Sequence, residues 1–247
     1  MIPLRDANPT RRPPVITIGI IAACVVAFAY ELGTQANGGD AALDDLFRAY
    51  GLVPATLVAS VQSGGPSAIL GALLVPILTS MFLHGGWIHL IGNMLYLWIF
   101  GNNIEDRFGR VGFLLFYLAG GVAAAVTQVW IGPTSTVPII GASGAIAAVL
   151  GAYLVLYPRA RVLSLVFLGF FYQLLQVPAL LVLGFWFVLQ LIDGLASLGA
   201  TASNGGVALF EHIGGFLMGV AVALVIRAID GARSARRAGP LDEFRVG

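Results

Sequence analysis

The sequence predicts an all-α, polytopic membrane protein folded as a bundle of six transmembrane helices. Three observations carry that reading: an apolar composition, six apolar segments near spanning length, and a lopsided distribution of arginine. Of 247 residues, 58% are hydrophobic and 10% charged, with a mean hydropathy of +0.91. Soluble domains carry about a quarter charged residues, so polar side chains are too few here to coat a water-soluble globule. A formal net charge of +1 leaves no electrostatic footprint for a nucleic-acid partner. The single Cys24 excludes an internal disulfide and a zinc-finger framework, and it sits in an apolar run as a small hydrophobe.

A spanning helix needs about 20 mostly apolar residues. The first such segment, 14–32, follows Arg11 and Arg12 like a signal peptide. It is longer than a signal's apolar core and lacks a small-x-small cleavage site, so it reads as an uncleaved anchor. Further segments run through about 84–101, 111–131, 143–157, 176–194 and 207–227. They define a membrane domain of 14–227 between a cytoplasmic segment 1–13 and a cytoplasmic tail 228–247, polar and frayed from Gly231 onward. Two more apolar stretches, 68–83 and 162–171, compete for the count.

Arginine decides between the alternatives, because cytoplasmic loops carry an excess of basic residues. With six spans, twelve of the thirteen basic residues, all arginine, fall on one side. The other side receives only Arg48, in company with Asp40, Asp44 and Asp45. A seventh span at 68–83 would send Arg107 and Arg110 to the wrong side, so that stretch, broken by Pro76, is expected in a long outer loop lying in the interface. Both termini are then cytoplasmic, and the expected location is a bacterial plasma membrane.

Polar groups at membrane depth are costly and mark functional sites by default. His84, His89 and Asn93 open the second span, Ser143 opens the fourth, and His212 with Glu211 lies early in the sixth. All three spans run inward, so these groups converge in one leaflet; each could otherwise serve only to hydrogen-bond a neighbouring helix. Gly141, Ala142, Ser143 and Gly144 follow a loop containing Pro133 and Pro138 and start a helix. The flanking glycines leave the hydroxyl uncrowded. A helix start also aims free N–H groups at whatever binds there.

A serine nucleophile needs a base. His212, Gly215, Gly219 and Ala223 form a stripe at spacings of three and four, with Gly215 and Gly219 as a small-x-x-x-small pair. Ala147 and Gly151 answer on the fourth span, so the two helices can approach until His212 reaches Ser143. Glu211 points about 100° away from His212 around the helix, which leaves a dyad. His89 and Asn93 share one helix face. With the Ser143 backbone N–H they can donate to a developing oxyanion.

These residues resemble a known family. The run TSMFLHGGWIHLIGN (79–93), the run GNNIEDRFG (101–109), Gly-Ala-Ser143-Gly and His212-Ile-Gly-Gly-Phe-x-x-Gly219 are similar, in order, to signatures of rhomboid intramembrane serine proteases. The resemblance covers about residues 45–225. It implies a six-helix rhomboid-like bundle, a Ser143–His212 dyad, an oxyanion hole using His89 and Asn93, and a Glu105 segment that structures the cytoplasmic end. His84, Gly141, Gly144, Gly215 and Gly219 are expected in support, and Trp186, between Phe185 and Phe187 on the fifth span, is expected as a gate. The implied activity is endoproteolysis of transmembrane segments near the outer face, with membrane-protein substrates in the bilayer as partners. The alternative is a catalytically inactive relative that binds and escorts membrane proteins. This chain departs from the pattern at Glu211, where a small residue usually stands, and at Ala147, where some members stack an aromatic on the histidine.

No cofactor or metal is expected. A His-Glu-x-x-His motif is absent, and Asp193 alone cannot form an aspartyl pair. A three-histidine metal site would leave Asn93 and Ser143 unexplained. Transporter sites would lie near the midplane instead of in one leaflet.

Overall fold

The computed structural model describes residues 1–64, 71, 75–168, 171–198 and 209–237. Pro13 and Pro14 end an extended N-terminal segment that contains β1 (Ile2–Asp6), and α1 (Val15–Tyr50) begins directly after them. Then follow α2 (Pro54–Ser63), α3 (Trp87–Phe108), α4 (Arg110–Ile131) and α5 (Ser143–Leu156). A hairpin of β2 (Arg161–Leu168) and β3 (Phe171–Pro178) leads to α6 (Ala179–Leu198) and α7 (Leu209–Arg237). By length and composition, α1, α4 and α7 can cross a membrane, and α5 and α6 contribute shorter apolar stretches. α3 has the length, at 22 residues, but its polar residues keep it outside that compositional class.

The chain is mostly helical, yet not all-α: β1, β2 and β3 form one antiparallel sheet in that order. Apolar runs of this length do not reveal by periodicity whether they are strand or helix, and residues 162–171 are such a run. Pairing with β1, from the far end of the sequence, decides it. Two further segments differ from expectation. α1 continues past Leu32 to Tyr50, with a break at Gly39 (φ 71°), and its second part carries the Asp44–Arg48 ion pair and buried Leu46. α7 continues past Gly231 to Arg237; residues 238–247 lie outside the described part.

The outer-loop stretch packs partly into the bundle in its described part, with Val75 and Leu78 exposed. Residues 75–80 are helical, and Ile77, Met81 and Leu83 are buried. Ile77 and Met81 join Leu52, Leu57, Ala125 and Ile139 in a small core capping one end of the bundle.

The centre is α5, whose residues from Ser143 to Tyr153 are all buried. Its contact with α7 is the most extensive between helices, whereas α6 touches both only sparsely. Glycine makes the close approach possible. A methyl group at Gly215 would overlap the Gly144 carbonyl, one at Gly219 the Ala148 carbonyl, and one at Gly151 the Phe216 carbonyl. Such backbone contact is the usual way to join helices where lipid removes any hydrophobic drive.

The end of the bundle opposite the cap is tied by polar bonds. α1 starts without a side-chain cap of its own. Glu105, from the last turns of α3, accepts the Ile16 N–H at 2.9 Å and the Thr17 N–H and hydroxyl, each at 2.8 Å. A carboxylate there satisfies orphan amides and meets the positive end of the helix dipole. Asn103 and Tyr153 donate to Asp6 at 2.6 and 3.0 Å. Burial raises the Asp6 carboxyl above the usual carboxylate range, against those hydrogen bonds. Its contribution to stability is therefore present at low pH and lost as pH rises through the folded-state value. Glu105→Ala, which strands buried donors, is expected to lower stability by about 2–4 kcal/mol. Thermal unfolding in detergent checks this; an unchanged midpoint would remove Glu105 from the cap.

Candidate active site

Ser143 is the first residue of α5, preceded by Ala142 at the cap position. The first intrahelical bond runs from the Ile146 N–H to the Ala142 carbonyl at 2.9 Å, so the amides of Ser143, Gly144 and Ala145 have no acceptor within the helix. Gly141 turns the chain into this start at φ 131°, in the region that favours glycine. Its N–H donates to the Ser80 carbonyl at 2.8 Å, which pins the turn to the capping segment.

His212 lies three residues inside α7, 69 positions from Ser143 in sequence. Its Nε2 stands 2.7 Å from the Ser143 Oγ. The pair is closed off: Ser143 is 8% exposed and His212 2%. Among the described residues, His212 Nδ1 has no partner, so no carboxylate completes a triad. One face of the imidazole is covered instead by Trp186 of α6, with ring centroids 5.4 Å apart. Trp186 also meets Tyr96 of α3 at 5.9 Å. It is buried, so it does not face lipid, while neighbouring Phe185 is exposed. Ala147, where an aromatic could have come from α5 itself, packs near Gly215.

His89 reaches the site from α3. A methyl group on Gly141 would stand 2.8 Å from His89 Nε2 and 3.5 Å from Ser143 Oγ, so the two groups flank that glycine. The Gly85 N–H donates to His89 Nδ1 over a long 3.4 Å. An accepting Nδ1 puts the ring proton on Nε2, where it faces the serine. Asn93, one turn further along α3, is buried, and its side-chain amide Nδ2 has no acceptor among the described residues. A buried donor left free is costly and is available to an oxygen that gains charge. His84 does not touch the serine. Its ring packs edge-on against His89 at 5.2 Å, and its Nδ1 donates to the Phe82 carbonyl at 3.1 Å.

The remaining expected residues divide by position. Gly144 accommodates the Glu211 side chain: a methyl there would lie 2.7 Å from Glu211 Oε1. Glu211 is buried, and its N–H donates to the Gln128 side chain at 3.1 Å. Gly215 and Gly219 bring the two helices together. Glu105 lies three turns beyond Asn93 on α3 and belongs to the far end of the bundle. Two neighbours were missed as site residues. Gln128 sits in the last turn of α4 with nothing in the sequence to distinguish it. Glu31 accepts the His84 N–H at 3.0 Å, and its place in the α1 stripe Thr17, Ile20, Cys24, Phe28, Glu31 was the only clue.

The arrangement can deprotonate a hydroxyl at Nε2 of a neutral imidazole and present N–H donors beside the attacked carbon. Among the described residues no cluster of three or more metal-ligating side chains exists.

Comparison with known proteins points the same way. The family profile of the Rhomboid domain matches residues 63–229. Rhomboid protein 1, mitochondrial, of Saccharomyces cerevisiae is 34% identical over 97 residues, covering 38% of this chain and 28% of that protein. Rhomboid protease GluP of Bacillus subtilis is 42% identical over 78 residues, 32% of this chain and 15% of its own. The human presenilin-associated rhomboid-like protein, mitochondrial, is 36% identical over 102 residues, 40% and 26% of the two chains. The matched part thus spans under a third of each of these relatives.

Proposed function

Because the chain belongs to the rhomboid family, we propose that it is an intramembrane serine endopeptidase cutting transmembrane segments of other membrane proteins by a Ser143–His212 dyad. The observation that carries this is the 2.7 Å contact between Ser143 Oγ and His212 Nε2, made by two helix starts far apart in sequence. His212 takes the hydroxyl proton as Oγ attacks the scissile carbonyl, then returns it to the leaving amine. The oxyanion is held by the Ser143 N–H, His89 Nε2–H and the Asn93 side-chain amide. Water then attacks the acyl-enzyme with His212 again as base.

In this reading six helices cross the bilayer: the first part of α1, then α3, α4, α5, α6 and α7. Both termini are cytoplasmic. α5 has 14 residues, a rise of about 21 Å against a hydrocarbon core of about 30 Å. With its C-terminus at the cytoplasmic boundary, Ser143 lies roughly 10 Å below the outer surface. Substrates are then cut inside the membrane near their outer end, where helix-breaking Gly or Pro exposes the peptide bond. Incubation in lipid with single-span substrates, comparing the native chain with Ser143→Ala and mapping the cut by mass spectrometry, tests the assignment. Cleavage on the cytoplasmic side would overturn the topology.

The dyad is buried, so something must move before a substrate helix enters. The sparse packing of α6 and the Tyr96–Trp186 contact across the α3–α6 seam support lateral entry there, with Trp186 as gate. Trp186→Ala is expected to raise turnover of a membrane substrate several-fold while lowering thermal stability. Unchanged or lower turnover in a stable variant would assign Trp186 to holding the His212 ring alone.

A further inference from the structure

We propose that Glu31 on α1 is a positioning residue for the oxyanion donors, holding the turn that carries His84 and Gly85 and, through it, the ring of His89. The inference rests on the proteolytic reading above and assigns a group that reading does not use.

Glu31 is 2% exposed and closes the buried face of α1, formed with Thr17, Ile20, Cys24 and Phe28. A carboxyl in such an apolar seam is expensive unless it meets a specific partner. The partner is a backbone amide: Glu31 Oε1 accepts the His84 N–H at 3.0 Å, across 53 residues of sequence. Its other oxygen has no partner among the described residues. Among the described residues the carboxyl is thus aimed at one amide and is not part of a wider polar network.

That amide lies in the non-helical link, residues 81–86, between residues 75–80 and α3. Two contacts run from the link to His89: the Gly85 N–H to Nδ1 at 3.4 Å, and the His84 ring against the His89 ring at 5.2 Å. The first sets the tautomer that makes Nε2 a donor. Gly85 and the strongly positive φ of Gly86, 152°, leave the link short of steric restraint of its own. The Glu31 bond supplies the restraint from outside. α1 is therefore docked by two carboxyls, one received from Glu105 at its start and one given by Glu31 near its middle toward the site.

What matters in this role is an acceptor at the right distance, not a charge. Glu31→Gln keeps the acceptor in place, and Glu31→Asp keeps the charge but withdraws the oxygen by one methylene, about 1.5 Å. The test uses the full chain reconstituted in lipid, with steady-state cleavage of a single-span substrate and the rate of fluorophosphonate labelling at Ser143. Glu31→Gln is expected within about 3-fold of native kcat, and Glu31→Asp and Glu31→Leu about 10- to 100-fold lower with KM little changed, part of the 10²–10³ that a lost donor costs. Labelling should slow in parallel. Combining Glu31→Leu with His89→Ala should cost little beyond His89→Ala alone, because both act on one group. A charge-dependent structural role predicts the reverse order, Asp tolerated and Gln not. That order, or multiplicative effects in the double variant, would overturn the proposal. Should Glu31→Leu fail to fold, the Gln and Asp pair still decides. A native chain that neither cleaves nor labels would instead fail the protease reading.

Discussion

Ser143→Ala and His212→Ala are each expected to reduce cleavage about 10⁴-fold or more, the scale seen when a nucleophile or its base is removed from a unit that acts together. Loss of the Ser143 hydroxyl removes the attacking atom and leaves only the donors. Loss of His212 leaves a hydroxyl at its ordinary acidity in a buried site, with no other base among its described contacts. The fold should survive both changes. Ser143→Ala deletes one atom from a helix start whose backbone is fixed by Gly141 and Ile146, and His212→Ala empties a space walled by Trp186. Asn93→Ala removes one of several donors and should cost about 10²–10³-fold. Fragment release from a single-span substrate in lipid measures all three, with fluorophosphonate labelling as the readout that needs no substrate. Robust cleavage by the Ser143→Ala protein would remove Ser143 from the role of nucleophile.

The second large effect comes from residues that take no part in the chemistry. Gly219→Ala and Gly215→Ala each place a methyl group into a backbone carbonyl of α5. Neither carbonyl can yield as a flexible side chain would, so α7 must move away from α5. Overpacking of this kind costs about 1–3 kcal/mol or more. A shift of about 1 Å between base and nucleophile costs about 10²-fold in rate. Both a lowered unfolding midpoint and a loss of about 100-fold or more in kcat are therefore expected. Gly19→Ala in α1, whose new methyl would have nothing within 4 Å, is the matched control and should be neutral or slightly stabilising. Native kcat in Gly219→Ala would show that the helices do not depend on that contact for their spacing.

Much of this molecule was legible in one dimension because its physics is local. Composition decides between lipid and water as solvent, since too few charged residues exist to cover a globule. The 3.6-residue period puts His212, Gly215, Gly219 and Ala223 on one stripe and His89 with Asn93 on another. Gly141 before Ser143 marks a turn that favours glycine, and Gly144 after it leaves room for a neighbouring side chain. From these came Ser143, His212, His89 and Asn93 as the candidate set, and the structure places His212 Nε2 2.7 Å from Ser143 Oγ with His89 beside Gly141.

The tertiary structure decided what no local pattern encodes. Whether residues 162–168 form strand or helix depends on a partner strand at Ile2–Asp6, and an apolar run looks the same in either state. The aromatic on the His212 ring comes from Trp186 on α6, not from the α5 position that Ala147 holds. Glu105 accepts a helix-start amide 89 residues earlier, and Glu31 holds an amide 53 residues later. Periodicity fixes which face of a helix is apolar or small. It does not fix how far that helix slides or turns against its neighbours, and hydrogen bonds between distant segments are set by that placement alone.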